Sequence, residues 1–131
     1  MDASHKSILT VIAALGVMDA MYLYLRRNYH NNLFYSVQGS PLNLRLFPVP
    51  FIYLLLGFAI YYVALKDNKR LGVALARGAA VGFFMYAFYD LTNFATLTNW
   101  TVEMMTIDTL WGTLVSAAAA GIGWYVMRKQ T

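Results

Sequence analysis

The chain has no cysteine. Disulfides, thiolate metal sites and thiol nucleophiles are therefore excluded. Charge is also scarce. Lys, Arg, Asp and Glu make up 12% of 131 residues, against roughly 25% in an ordinary soluble domain. Histidine occurs only at His5 and His30. Both fall outside the apolar segments, which argues against haem ligation inside a span. No Gly-rich phosphate loop precedes a helix, no nucleophile–histidine pair is evident, and no zinc motif of the HExxH type occurs. Neither a metal nor a cofactor is expected, and the pattern leans away from an enzyme.

What the chain does have is hydrocarbon. It is 60% hydrophobic, with a mean hydropathy of +0.50. The net charge of +4 does not imply nucleic acid, because the Lys and Arg residues sit at segment ends, where membrane topology places them. The bilayer is the expected partner. Four apolar segments are read, at 8–25, 49–65, 71–91 and 102–127, each near the length a span needs. The expectation is an all-α integral membrane four-helix bundle, a single transmembrane domain over residues 1–131. The first segment resembles a signal peptide, but Asp19 interrupts it and no small-x-small cleavage site follows. It is read as a retained span, with Ser7 as its cap. Residues 28–47 read as a polar and aromatic connection. Its Leu33-Phe34-Tyr35 and Leu42–Phe47 pieces lie on the membrane surface, and Gln38-Gly39-Ser40-Pro41 marks a turn.

Counting cations orients the chain. Seven Lys and Arg lie on the side of Lys6, the Lys66–Arg70 turn with Arg77, and Arg128-Lys129, and three (Arg26, Arg27 and Arg45) lie on the other. Both termini are then cytoplasmic. Asn99-Trp100-Thr101 matches a glycosylation acceptor on the opposite side. Helices one-two and three-four form two hairpins, each with an acid on its first helix (Asp19 and Asp90), as a duplication would leave them.

Acids in a membrane segment are costly, and they mark sites. Asp19, Asp90 and Asp108 all point to the non-cytoplasmic side. Tyr86, Asp90 and Asn93 share one helical face, as do Asp108 and Trp111 on the fourth segment. Tyr22 lies one turn from Asp19. With Trp100 at the edge, these eight residues are the candidate ligand-binding cluster. A structural role stays open beside it: Asp19 pairing with Arg26 or Arg27, Asp90 capping the third helix, and Asp108 bonding Thr or Asn between helices. Tyr35, Tyr53, Trp100 and Trp111 are assigned to interfacial aromatic belts. Small residues recur every fourth position at Ala74, Gly78 and Gly82, and again at Gly112, Ser116 and Ala120. That spacing lets membrane helices approach closely, and it offers faces for a homo-oligomer.

The run Arg77-Gly78-Ala79-Ala80-Val81-Gly82, the stretch Tyr89-Asp90-Leu91-Thr92-Asn93-Phe94, and Asp108 with Trp111-Gly112-Thr113 resemble an uncharacterised membrane-protein family, domain of unknown function 2177, found in bacteria and large DNA viruses. Asp19-Ala20-Met21-Tyr22-Leu23 fits its first helix. Tyr22 stands where the family pattern has Trp, and Thr101 where it has Pro. The resemblance implies four membrane helices, no settled activity, and an association with lipid-modifying genes in bacteria. Three functions follow as expectations. The first is binding or moving a small ligand, ion or lipid headgroup. The second is a structural or partner subunit of a membrane assembly, such as a viral inner membrane or a multi-subunit complex. The third is a lipid-modifying enzyme.

Overall fold

The computed structural model describes residues 2–130 and is helical throughout, with no strand among the described residues. Helix α1 spans Ala3–Leu25. Its cap is Asp2, whose carboxylate accepts the His5 backbone N–H at 2.9 Å. Ser7 is therefore not the cap. It lies inside the helix, fully buried, and donates to the Gly123 carbonyl at 3.0 Å. A hydroxyl in an apolar helix has the choice of capping or bonding outward, and here a close neighbour takes it.

The polar connection turns out to contain a helix. Arg26 breaks the α1 geometry, and α2 runs over Arg27–Gln38. Individually its residues are weak helix formers. However, His30, Leu33, Phe34 and Val37 follow the i, i+3, i+4, i+7 rule of an amphipathic helix. Gly39 ends α2 in the left-handed region, at φ 74°, with its N–H on the Tyr35 carbonyl. Glycine takes that conformation without the strain a Cβ would bring.

Helix α3 covers Val49–Ile60, with proline in its first turn, and continues as a π-helical turn over Tyr61–Leu65. The Lys66 N–H reaches the Tyr61 carbonyl at 2.8 Å, five residues back. Helices α4 (Leu71–Thr96) and α5 (Val102–Gln130) follow. Between α3 and α4, the Asn68 amide bonds the carbonyls of Ala64 and Arg70 and accepts the Arg70 N–H. Thr101 caps α5 by accepting the Met104 N–H at 3.0 Å. Glu103 in the first turn and Arg128 and Lys129 in the last suit the helix dipole. Because α4 runs on to Thr96, Asp90 is an interior position and not its cap.

Among the described residues, three helices, α1, α4 and α5, are long and apolar enough to cross a membrane. The apolar stretch Val49–Leu65 is shorter. Helices α4 and α5 share the most extensive interface, α1 lies along α5, and α3 lies along α1. The core gathers Val11, Leu15, Ile60, Leu65, Val81 and Val115. Gly78 and Gly82 face α5. A Cβ on Gly78 would come within 2.8 Å of the Ser116 carbonyl, and one on Gly82 would strike the Gly112 carbonyl and Ser116. The two small-residue faces are thus spent on each other inside the chain, not left free for a second copy. Outside, Phe84, Phe88, Leu110 and Leu114 are exposed, as a surface in contact with lipid would be.

Candidate functional site

Asp19, one and a half turns before the end of α1, accepts two hydrogen bonds. The Tyr53 hydroxyl of α3 donates to one oxygen, and the Trp111 indole N–H of α5 donates to the other at 3.0 Å. One carboxylate therefore joins three helices. The expected pairing of Asp19 with Arg26 or Arg27 does not form. The Arg26 guanidinium lies over the Tyr29 ring at 4.5 Å and 3.7 Å from Glu103. Arg27 stacks on Tyr24 and donates to its carbonyl. Tyr53, assigned from sequence to an interfacial belt, faces inward. Tyr22 stacks on Trp111, with ring centres 4.6 Å apart and planes 7° from parallel.

Across from Asp19, α4 and α5 bring Asp90 and Asp108 side by side, with the Trp100 indole close to Asp90. Asp90 is 0% exposed, and neither of its oxygens has a partner in hydrogen-bond geometry. Asp108 is 8% exposed. Its close polar neighbour is another carboxyl, with His30 and Arg26 nearby. The Thr and Asn bonds anticipated for Asp108 are not made. Tyr86 sits among all three acids. Asn93 is only half-buried and meets Tyr89 rather than the acids.

Trp100 is not an interfacial anchor. It is 3% exposed and packs with Leu33 and Met104 beneath α2. The Asn99 side chain donates to the Ser36 carbonyl at 2.8 Å, and the Tyr29 and Thr101 hydroxyls bond each other. These contacts hold α2 across the end of the bundle.

A cavity of about 480 Å³ lies below it, within the range of small-molecule sites. Its polar lining is Asp19, Asp108, His30, Tyr86 and Tyr89, and its apolar lining includes Met85, Met104, Phe34 and residues 52, 55 and 56 of α3. His30 is buried, and its Nδ1 is 3.0 Å from the Arg26 carbonyl. A carbonyl can only accept, so Nδ1 donates, and Nε2 is left for the cavity. Sequence reasoning placed His30 outside any site. The α2 periodicity was the signal that could have found it. Among the described residues no three His, Asp or Glu side chains converge as a metal site.

The molecule is thus an all-α protein of apolar helices that enclose an acidic and aromatic cavity near one end. The chain belongs to a family of predicted membrane proteins of unknown function, DUF2177, whose model matches residues 4–125. No curated protein and no solved structure matches it.

Proposed function

We propose that this is a four-span membrane protein that binds a small ligand in the cavity lined by α1, α2, α3, α4 and α5. The short stretch Val49–Leu65 serves as the fourth span. By the positive-inside rule, the Lys66–Arg70 turn faces the cytoplasm and α2 faces the opposite side. The observation that carries the reading is Asp108. It is nearly buried, it lines the cavity, and it sits beside the Asp90 carboxyl, whose own oxygens have no partner in hydrogen-bond geometry. A polar group left so in a low-dielectric interior is costly unless a partner arrives. Asp19 differs, because its two donors already satisfy it. Asp19 is the frame of the site, and Asp108 is its open acceptor.

The test is thermal unfolding of the purified chain against a panel of amines, inorganic cations and lipids, for wild type, Asp19→Asn and Asp108→Asn. A ligand that binds only the folded state raises the midpoint by mass action. The reading expects at least one such shift in wild type, and its loss in Asp108→Asn with unliganded stability retained. If nothing shifts wild type and both variants are equally destabilised, the acids serve packing, and a subunit of a membrane assembly becomes the better account.

A further inference from the structure

The cavity has one closed side and one open side. Toward the end of the bundle it is shut by α2, where His30 and Leu33 are buried and Leu33 meets Trp100 and Met104. Toward the flank it is not. Helices α3 and α4 meet little beyond the π turn at the far end. Ile52 and Leu55 line the cavity and are 57% and 65% exposed. Tyr89 of α4 lines it too, and is also exposed. The apolar wall of the cavity is therefore continuous with the surface that faces hydrocarbon. A ligand that enters this way arrives from the bilayer and not from water.

The polar end selects the head group. Asp108 lines the cavity beside the Asp90 carboxyl, and Asp19 adds a further carboxyl to the lining. Carboxyl oxygens facing the cavity accept hydrogen bonds and so favour a head that donates them, while an anionic head would set acceptor against acceptor. The His30 Nε2 and the Tyr86 hydroxyl can take further bonds from such a head.

On the reading of the cavity as a binding site, we propose that it takes a membrane amphiphile with a hydroxyl or amine head and no negative charge. The head lies against Asp108, and the chain passes out between α3 and α4 into the bilayer. A long-chain alcohol and a long-chain amine share this chemistry.

Native mass spectrometry of the full chain, released from phosphatidylcholine nanodiscs, tests it with hexadecylamine, hexadecanol, hexadecanoic acid and butylamine in competition. The proposal expects saturable occupancy by hexadecylamine or hexadecanol, and whichever dominates identifies the head. It expects the acid and the short amine to bind at least about tenfold more weakly, a difference of about 1.4 kcal/mol. Asp108→Asn should weaken hexadecylamine by a similar factor. Leu55→Trp, at an exposed position that tolerates bulk, should block the long chains. Equal binding of butylamine, unaffected by Leu55→Trp, would overturn lateral entry while leaving a cation site in place. Binding of hexadecanoic acid as tight as the amine would overturn the head-group assignment. No occupancy by any probe, with no effect of Asp108→Asn, would remove both the amphiphile and the site it rests on.

Discussion

Asp19 and Asp108 are the same residue type in the lining of one cavity, and their surroundings make them different. Asp19 is bonded by Tyr53 and Trp111, so removing a donor leaves a half-buried acceptor short. Tyr53→Phe is expected to cost about 1–3 kcal/mol of stability. Tyr62→Phe, at an exposed site on the same segment, should change it by less than about 0.5 kcal/mol. Chemical unfolding of both variants checks the contrast, and equal costs would deny Asp19 its framing role. At the chain's exposed start, the His5 N–H holds the Asp2 carboxyl below its usual pKa, with the nearby His5 side chain adding to this. A depressed pKa stabilises the cap above the ordinary carboxylate range, and the benefit is lost as pH falls through the lowered value. The His5 amide resonance should report that loss below the usual carboxylate range and level off just above it. Residues of this kind are half legible in sequence. Asp19, Asp108 and Tyr86 stand out because acids and their helical neighbours are rare in apolar runs. Tyr53 does not, because a tyrosine near a span end looks the same whether it faces headgroups or a half-buried carboxylate.

At the scale of elements, the long helices follow from length and hydropathy, and α2 does not. Its apolar face is four residues in a polar stretch, and its partner, Trp100, lies far along the chain. Only the folded arrangement joins them. The π turn at Tyr61–Leu65 is invisible for a similar reason. A single wider turn leaves no compositional trace, since its apolar residues continue those of α3. The α2 cover is the element most exposed to single changes. Leu33 is buried against Trp100 and Met104, and Leu33→Ala should cost about 2–4 kcal/mol locally. Hydrogen exchange should then quicken across Arg27–Gln38 while α4 and α5 keep their protection. Uniform loss of protection in all helices would show that α2 belongs to the cooperative core.

For the whole molecule, the small-residue spacing is a close-packing signal, but sequence leaves open which helices it joins. The structure sets α4 against α5, with Gly78 and Gly82 against Ser116 and Gly112. Orientation rests on charge alone, and the absence of cysteine makes it easy to probe. With Ser40→Cys and Lys69→Cys as single-cysteine variants, a membrane-impermeant maleimide added to intact cells should label position 40. Position 69 should label only after permeabilisation. The reverse pattern would invert the topology.

The most direct measurement is photo-crosslinking in membranes with a long-chain amine that carries a diazirine on its alkyl chain, followed by peptide mapping. A ligand seated in the cavity predicts adducts on Met85, Met104 and Phe34, competed by unlabelled hexadecylamine and lost in Asp108→Asn. Adducts confined to outward residues such as Phe84, Phe88 and Leu114, with no competition, would contradict a binding cavity.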